Sequence, residues 1–562
     1  MTASTPRRSG AQVLIDQLRI HGVDTIFGVP GESYLAALDA LYAQRNSIRY
    51  VICRQEGGAA NMAEAYGKLM GKPGICFVTR GPGATNASIG LHTGFQDSTP
   101  MILLVGQVGR EQAEREAFQE IDYRRMFGQM AKWVAQIEDA RRIPELVSQA
   151  FHRAMNGRPG PVVLSLPEDM LADEVDVADA GPFRVARGAP STDDMARLRA
   201  LLDQAERPMV VLGGGGWTAE ACADIRAFIE ANGLPATAAF RNQDLLDNRH
   251  PNYVGDLGIG VNPPLGKRIR ESDLVIAIGP RLGEATTGAY TMFEVPVPKQ
   301  PLVHVHASAE ELGRVYQTIL PINSGMANFA AAARAMKPVD GTRWKAQVAE
   351  ARAQYLANIE PAPQPGAADL AAIVGWLNKR LPDDAIVTNG AGNYAAFLHR
   401  FFQYRGFKTQ LAPTSGAMGY GVPAAVAAKI AEPSRPVVSF AGDGCFLMNG
   451  QEFATAVQHG ANIVVVVVDN GMYGTIRMHQ ERDYPTRVHG TNLTNPDFAA
   501  YARAFGGHGE TVERTADFAP AFERAFAAGK PAIIHLKTDP EAITSRITLT
   551  KLREQSLAAQ RG

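Results

Sequence analysis

Two short turns in the chain combine residue types that can hold a divalent cation and a phosphate. A Gly-Asp-Gly sequence centred on Asp443 follows the apolar run 437–440, and an Asp-Asn-Gly sequence centred on Asn470 follows the apolar run 463–468. Mg²⁺ takes few protein oxygen ligands and completes its octahedron with phosphate and water oxygens. The carboxylate of Asp443 and the amide oxygen of Asn470 are therefore candidate ligands of one small, hard cation.

A strand–helix–strand unit is needed to bring these two turns together. Both apolar runs predict buried parallel strands, and the segment 449–459 predicts the crossover helix between them. The polar turns would then lie at the carboxyl ends of neighbouring strands, which is the edge where open α/β sheets bind ligands. Taken separately, each sequence is also compatible with an ordinary surface turn.

This combination resembles the thiamine diphosphate motif of the thiamine diphosphate-dependent decarboxylase and carboligase superfamily. The resemblance implies that Asp443, Asn470 and the main-chain carbonyl of Met472 hold Mg²⁺ against the cofactor's diphosphate. Asp469 stands where many members carry Asn, at the position that is not a ligand. The resemblance also implies further cofactor-binding positions at Gly416, Met418, Gly442, Gly444, Cys445, Tyr473, Gly474 and Ile476.

Two of these positions have more specific expected roles. The sequence at 415–421 resembles the family's G-x-M-G pattern, in which Met418 supports the bent form of the cofactor. Ile476 matches a position that packs near the thiazolium ring. For Met418 the alternative is a simple core-filling side chain, which is a common use of methionine.

A second carboxylate, Glu56, lies in a different part of the chain. Small residues follow it at 57–60, which would let a planar ring approach the backbone closely. The surrounding sequences resemble the pyrimidine-binding domain of the same superfamily, most closely its acetolactate synthase and pyruvate oxidase branch. The matching motifs lie at 27–31 (FGVPG), 54–60 (RQEGGAA), 81–86 (GPGATN), 106–108 (GQV) and 117–120 (AFQE).

The resemblance implies that Glu56 is the catalytic carboxylate. It would hydrogen-bond the aminopyrimidine ring of the cofactor and so create a base beside the reactive thiazolium C2 carbon. This chemistry requires a carboxyl group in a dry site, because a proton must be shared with a weakly basic ring nitrogen. The alternative is a surface glutamate that caps the helix beginning at this point.

Other N-terminal residues are expected near the reacting carbon. The resemblance places the loop 81–83 there, and it places Phe118 and Gln119 on the acceptor side of the pocket as further catalytic candidates. Arg80 precedes the loop at a position where acetolactate synthases usually carry a small residue. Its guanidinium would either pair with a substrate carboxylate or form a structural ion pair, and the sequence favours neither.

The order of elements predicts an α/β protein of three consecutive doubly wound domains with parallel sheets. A segment rich in Pro, Gly and Asp near 172–190 and a Pro-rich segment at 359–367 predict linkers between them. The resemblance assigns the domains as pyrimidine-binding, central α/β, and diphosphate- and Mg²⁺-binding. Their predicted ranges are 1–175, 190–340 and 365–562.

The central domain is the least clear part of the resemblance. The glycines at 213–216 follow a predicted strand but do not complete G-x-G-x-x-G, since Thr218 stands where the third Gly belongs. Acetolactate synthases carry a pair of Asp after a later strand, where this chain has His306 and Ser308. FAD, which some branches carry here, is therefore possible by resemblance but disfavoured by these residues.

Composition limits the expected partners and location. The net charge of −1 and the 46% of apolar residues argue against a nucleic-acid-binding or membrane-associated protein. Four scattered cysteines and an N-terminus without an apolar segment predict a cytoplasmic protein with reduced thiols.

The resemblance implies an enzyme that decarboxylates a small 2-oxo acid and then ligates the product to an aldehyde or keto acceptor. Retention of the AFQE motif favours this acetolactate synthase-like carboligation. The alternatives are a simple 2-oxo acid decarboxylase, a lyase of the 2-hydroxyacyl-CoA type and, disfavoured because Glu56 and Asp443 are present, a non-enzymatic scaffold. Family members share each cofactor between two subunits, which implies a homodimer at least and favours a homotetramer.

Overall fold

Three six-stranded parallel sheets flanked by helices follow one another along residues 7–561, the part of the chain that this computed structural model describes. The predicted class of three doubly wound α/β domains is thereby confirmed. Long apolar runs form the inner strands because both faces of each sheet are covered by helices. Every residue of the strand at Met101–Gln107, for example, is buried.

The N-terminal sheet has the strand order β3-β2-β4-β5-β7-β6, and β1 pairs with β8 in an antiparallel ribbon. Its strands are β1 (Arg8–Ser9), β2 (Thr25–Gly28), β3 (Arg49–Ile52), β4 (Gly74–Val78), β5 (Met101–Gln107), β6 (Trp133–Gln136), β7 (Pro161–Pro167) and β8 (Glu174–Val175). Its helices are α1 (Gly10–Ile20), α2 (Leu35–Ala43), α3 (Glu56–Met70), α4 (Pro82–Asp97), α5 (Tyr123–Phe127), α6 (Ile143–Met155) and α7 (Glu168–Ala172).

The central sheet has a different order, β11-β10-β9-β12-β13-β14. Its strands are β9 (Pro208–Leu212), β10 (Ala236–Ala238), β11 (Tyr253–Asp256), β12 (Leu274–Ile278), β13 (Leu302–His306) and β14 (Leu320–Asn323). Its helices are α8 (Thr192–Gln204), α9 (Ala219–Asn232), α10 (Pro263–Glu271), α11 (Met326–Ala335) and α12 (Lys345–Ile359).

The C-terminal sheet has the order β16-β15-β17-β18-β20-β19. Its strands are β15 (Ile386–Asn389), β16 (Gln410–Leu411), β17 (Val437–Gly442), β18 (Val464–Asp469), β19 (His508–Val512) and β20 (Ala532–Lys537). Its helices are α13 (Leu370–Arg380), α14 (Asn393–Phe401), α15 (Gly421–Ala431), α16 (Asp443–Asn449), α17 (Glu452–His459), α18 (Gly474–Asp483), α19 (Phe498–Ala504), α20 (Thr515–Ala527) and α21 (Leu549–Arg561).

The crossover between β17 and β18 differs from the prediction. It contains two helices, α16 and α17, and the first begins at Asp443 instead of at residue 449. An acidic residue is favourable in the first turn of a helix, so the Gly-Asp-Gly sequence starts α16 and does not form a separate turn. Gly450 separates the helices, and a Cβ atom there would lie 2.6 Å from the Phe446 ring.

Packing divides the chain into two compact units. The first contains the N-terminal residues through Ala186 together with 426–431 and 454–459, and the second contains the remaining residues. The central and C-terminal sheets thus belong to one unit, and the predicted domain limits at 340 and 365 stay predictions. Within residues 7–561, no helix has both the length and the apolar character needed to cross a lipid bilayer.

Candidate active site

Glu56 lies at the carboxyl end of β3, as the first residue of α3. The residue that caps this helix is Gln55, whose side chain accepts a hydrogen bond from the Gly58 amide at 3.0 Å. The Glu56 side chain instead reaches α4, where its Oε2 atom accepts a hydrogen bond from Asn86 Nδ2 at 2.9 Å. Gln55 therefore caps α3, and the Glu56 side chain makes its hydrogen bond to the neighbouring helix α4.

The loop before α4 brings Glu56 close to a segment from residues 110–122. Gly81 has a φ of 54°, and a Cβ atom there would lie 2.7 Å from Gln119 Cβ, so only glycine allows this approach. A Cβ atom on Gly83 would lie 3.3 Å from Glu56 Oε1. Glu56, this loop and Gln119 therefore share the carboxyl edge of the first sheet.

An open cavity of ≈ 430 Å³ lies at this edge. It is lined by Gly81, Pro82, Thr85, Asn86, Gln119, Glu120 and Ile121. Phe118, next to Gln119, is 71% exposed. The predicted acceptor-side residues are thus on the segment that borders the cavity, with Gln119 in its wall.

Arg80 is engaged by acidic side chains of the protein. Its guanidinium is buried and lies 2.8 Å from a Glu168 carboxylate oxygen and 3.7 Å from one of Glu32. Of the two hypotheses for Arg80, a substrate contact or a structural ion pair, these partners support the structural ion pair.

Asp443 lies at the equivalent edge of the C-terminal sheet, in a hydrogen-bonded group with Asn495, Asp469 and His535. Asn495 Nδ2 donates to Asp443 Oδ2 and to Asp469 Oδ1, both at 2.8 Å. His535 Nε2 donates to the other oxygen of Asp469, also at 2.8 Å. The result is a chain of hydrogen bonds that holds two carboxylates side by side.

The two carboxylates respond differently to this environment. Burial raises the pKa of Asp443 to about 6, and the charge on neighbouring Asp469 acts in the same direction. Burial also acts to raise the pKa of Asp469, but hydrogen bonds from His535, the Gly471 amide and Asn495 outweigh it and lower that pKa to about 2. Two adjacent carboxyl groups suit a bound divalent cation, whose charge would favour the ionised form of both.

The other predicted metal ligands follow β18. Gly442 of β17 pairs with Val468 of β18, so the segments after both strands begin at the same level of the sheet. The Met472 carbonyl accepts a hydrogen bond from the Gly474 amide at 2.9 Å, and a Cβ atom on Gly474 would lie 3.1 Å from Asn470 Nδ2.

The remaining predicted cofactor positions line the same edge. The Tyr473 ring packs over Gly444, where a Cβ atom would lie 2.5 Å from it. Cys445 Sγ is buried and accepts hydrogen bonds from Tyr394 and from the Gly419 amide, both at 3.2 Å. Met418 is half-buried and packs against the hydrophobic core, whereas Gly416 and Ile476 are exposed to solvent.

Two helix N-termini at this edge suit a phosphate. Within the described residues, no side chain caps α14 or α18, whereas Asp369 caps α13 and Asp497 caps α19. Thr475 Oγ1 donates to Asn393 Oδ1 at 2.9 Å and so links the N-termini of α14 and α18. Uncapped N–H groups and the helix dipole favour an anion such as a diphosphate.

The glycine turn of the central domain does not suit the pyrophosphate of FAD. Trp217 Nε1 donates to the Gly213 carbonyl at 2.8 Å, and the Gly214 amide donates to Asn242 Oδ1 at 3.2 Å. Thr218 caps α9, and Glu220 places a carboxylate in its first turn. The amides of Gly214 and Ala221 are thus engaged by side chains, and the Glu220 carboxylate would repel a phosphate.

Several residues of these sites were not singled out from the sequence. Asn495 and His535 contact Asp469 from distant segments, and no spacing rule links them to the Asp-Asn-Gly turn. Asn86 stands inside the motif at 81–86, but its partner Glu56 lies on another helix. The only available signal was an amide side chain at the end of a matched motif.

Comparison with known proteins finds a family match in each of the three sheet-containing regions. The families described as "Thiamine pyrophosphate enzyme, N-terminal TPP binding domain", "central domain" and "C-terminal TPP binding domain" match residues 8–126, 195–333 and 390–536 respectively.

Individual relatives match over nearly the whole chain. The acetolactate synthase isozyme 2 large subunit of Escherichia coli (strain K12) is 30% identical over 537 residues, which cover 94% of this chain and 96% of that protein. Acetolactate synthase of Arthrospira platensis is 31% identical over 555 residues, 94% of each chain. The acetolactate synthase large subunit of Parasynechococcus marenigrum (strain WH8102) is 33% identical over 531 residues, 91% of this chain and 85% of that one. The chain therefore belongs to the thiamine pyrophosphate enzyme family, in its acetolactate synthase-like branch.

Proposed function

We propose that the protein is a Mg²⁺- and thiamine diphosphate-dependent carboligase that decarboxylates a small 2-oxo acid and joins the remaining fragment to a keto or aldehyde acceptor. The observation that carries this proposal is the position of Glu56. Its carboxyl group is oriented by Asn86 at the border of an open cavity whose wall contains Gln119.

The C-terminal residues would bind the cofactor's charged end. Asp443, the Asn470 amide and the Met472 carbonyl would hold Mg²⁺, since hard oxygen ligands suit this ion. The uncapped ends of α14 and α18 would face the diphosphate. Met418, Tyr473 and the glycines of these turns would shape the pocket around the rest of the molecule. These residues supply binding and orientation.

The N-terminal residues would act on protons and on substrates. Thiamine diphosphate, when bound, supplies a carbon that adds to the keto group and accepts the electrons released with CO₂. Glu56 would exchange a proton with the aminopyrimidine ring, and Gln119 and Phe118 would contact the acceptor. Arg80, already paired with Glu168 and Glu32, would stabilise the loop and leave the substrate carboxylate to other groups.

Product analysis tests the proposed reaction. The purified protein with Mg²⁺ and thiamine diphosphate is given 2-oxo acids of increasing size, with and without an aldehyde or second 2-oxo acid as acceptor. We expect CO₂ release together with a carbon–carbon ligation product, and neither from the Asp443→Ala control. Release of CO₂ with an aldehyde as the sole product would favour a simple decarboxylase. Cleavage of a 2-hydroxyacyl-CoA, supplied in a separate assay, with no reaction of any 2-oxo acid would favour the lyase alternative.

We also propose that the active protein holds no FAD, because Asn242 engages the Gly214 amide and Glu220 places a carboxylate in the first turn of α9. The purified, active protein should then show no flavin absorbance in the visible range. Stoichiometric flavin that is lost together with activity would contradict this proposal. A cytoplasmic location stays a prediction.

Assembly into at least a homodimer, and by family precedent a homotetramer, is part of the same proposal. If the two ends of each cofactor are bound by different subunits, Glu56→Gln and Asp443→Ala proteins should complement each other. A mixed dimer would carry one site with both defects and one intact site, so a random mixture recovers about a quarter of wild-type activity. No recovery after subunit exchange, or an active monomer in sedimentation, would contradict shared sites.

A further inference from the structure

Asn86 makes an interhelical contact that the polar residues beside it do not make. Thr85 Oγ1 donates to the Gly81 carbonyl at 2.9 Å and Ser88 Oγ to the Thr85 carbonyl at 2.7 Å, so both side chains return to the backbone of their own segment. Asn86 Nδ2 instead donates across to Glu56 Oε2 at 2.9 Å. Its side chain therefore links α4 to the first residue of α3.

This contact makes the two oxygens of Glu56 different. Oε2 receives the Asn86 amide, while Oε1 lies 3.3 Å from the position that a Cβ atom would take on Gly83. A carboxylate has several lone-pair directions, so one oxygen can accept the amide while the other remains able to meet a ring nitrogen. Asn86 is also part of the wall of the open cavity, so the Asn86–Glu56 hydrogen bond lies beside that cavity.

A glutamate in this position needs such a partner. The terminal torsion of Glu is broad, so a half-exposed carboxyl group can rotate between many orientations. Proton transfer requires the donor and acceptor to be within hydrogen-bond reach and aligned. A misplacement of about 1 Å can reduce the rate of an enzymatic step by about 10²-fold.

We propose that Asn86 is a positioning residue for the reaction. It fixes the plane of the Glu56 carboxyl group so that Oε1 is presented to the aminopyrimidine ring of the cofactor. The inference rests on the proposed function, in which Glu56 exchanges a proton with that ring. Asn86 itself would act through Glu56 and would not exchange a proton.

Hydrogen–deuterium exchange at C2 of bound thiamine diphosphate measures this role in the holoenzyme. We expect exchange in Asn86→Ala to slow by about 10- to 100-fold, with cofactor affinity and the thermal unfolding midpoint close to wild type. The kcat for the 2-oxo acid should fall while its KM changes little. Asn86→Asp preserves the side-chain size but replaces the donor by a second carboxylate, and it should exchange at least as slowly.

The control is Ser88→Ala, which removes one side-chain hydrogen bond from the same helix without touching Glu56 and should exchange at the wild-type rate. Wild-type exchange in both Asn86 variants would overturn the inference, as would slow exchange accompanied by an equal loss of cofactor binding. Glu56→Gln, measured in the same experiment, distinguishes failure of the Asn86 positioning role from failure of the proposed Glu56 role. If it is slow while the Asn86 variants are normal, only the positioning role fails. If it also exchanges normally, the proposed role of Glu56 fails.

Discussion

The first and last sheets of this protein have the same strand order but different chemistry at the same edge. Numbered within each sheet, both run 2-1-3-4-6-5, whereas the central sheet runs 3-2-1-4-5-6. In the first sheet the acidic residue is Glu56, which follows the second strand, and in the last it is Asp443, which follows the third. The shared topology thus provides an edge, and the loops decide which chemistry it performs.

Each acidic residue is held by an asparagine amide, yet their surroundings differ. Asn86 donates to Glu56 at 2.9 Å and Asn495 donates to Asp443 at 2.8 Å. Glu56 is half-exposed beside a cavity, whereas Asp443 is only 3% exposed and lies next to a second acid, Asp469. The first environment leaves a carboxyl group accessible to a ligand, and the second suits a bound cation. The comparison predicts that removing the Asp443 carboxylate abolishes cofactor and metal binding, whereas removing the Glu56 carboxylate slows proton exchange and leaves binding largely intact.

The largest effect on binding is expected from Asp443. Asp443→Ala removes the one charged ligand of the proposed set, leaving an amide and a carbonyl to hold a strongly hydrated ion. Calorimetric titration should show no measurable binding of Mg²⁺ with thiamine diphosphate. Asp443→Asn separates charge from volume and should also bind poorly. Wild-type affinity in either protein would remove Asp443 from the metal site.

A smaller effect is expected from Asn495, which orients Asp443 and Asp469 without being a proposed ligand. Loss of a residue that orients a metal ligand typically reduces metal affinity by about 10- to 100-fold. Asn495→Ala should therefore weaken binding of Mn²⁺, used as a paramagnetic substitute for Mg²⁺, by that amount. Asn492→Ala, an exposed amide in the same loop, is the matched control. Equal affinities for the two variants would contradict an orienting role.

The smallest effect concerns the contact between α21 and α18 in the C-terminal domain. Glu481 of α18 is buried and bound by Arg553 of α21 at 2.6 and 2.7 Å and by Arg477 at 3.1 Å. The hydrogen bonds from Arg553 lower the pKa of Glu481 to about 2. A lowered folded-state pKa means that this stabilisation is complete above the ordinary value of 4.5 and is lost as the pH falls towards 2.

Glu481→Gln should therefore loosen α21 at neutral pH. Hydrogen bonds to charged groups contribute about 1.5–3 kcal/mol, so amide exchange in α21 should accelerate by about 10- to 100-fold at pH 7. Compared at equal pH, the difference from wild type should shrink as the pH is lowered from 4.5 towards 2. Asp483→Asn, an exposed ion-pair residue of the same helix, should have little effect. A difference that persists at low pH would contradict the assignment to this carboxylate.

The sequence alone predicted the fold class because the apolar runs are long and fully buried. The runs 437–440 and 463–468 correspond to β17 and β18 with shifts of one or two residues at their ends. The division of the crossover into α16 and α17 was missed, because it depends on how Gly450 packs against Phe446. Periodicity reports the buried face of a helix but not such a local approach.

The candidate site was predictable where ligands and motif lie close in the chain. Asp443 and Asn470 each directly follow a strand of one βαβ unit, so their location at the carboxyl edge of the sheet could be inferred from spacing. Asn495 and His535 reach Asp469 only through the tertiary fold. The choice between a substrate contact and a structural ion pair for Arg80 depended on its neighbours Glu168 and Glu32, which come from distant segments. Sequence patterns do not show which side chains from distant segments come into contact.

The central claim is that Glu56 serves proton exchange and Asp443 serves binding. Exchange of the C2 proton of thiamine diphosphate in the Glu56→Gln protein, at saturating cofactor and Mg²⁺, tests it most directly. Glutamine keeps the size and a hydrogen bond but cannot share the carboxyl proton, so exchange should slow by about 10²- to 10⁴-fold while cofactor affinity changes far less. Exchange at the wild-type rate, or a loss of affinity as large as that of Asp443→Ala, would contradict this division of roles between the two domains.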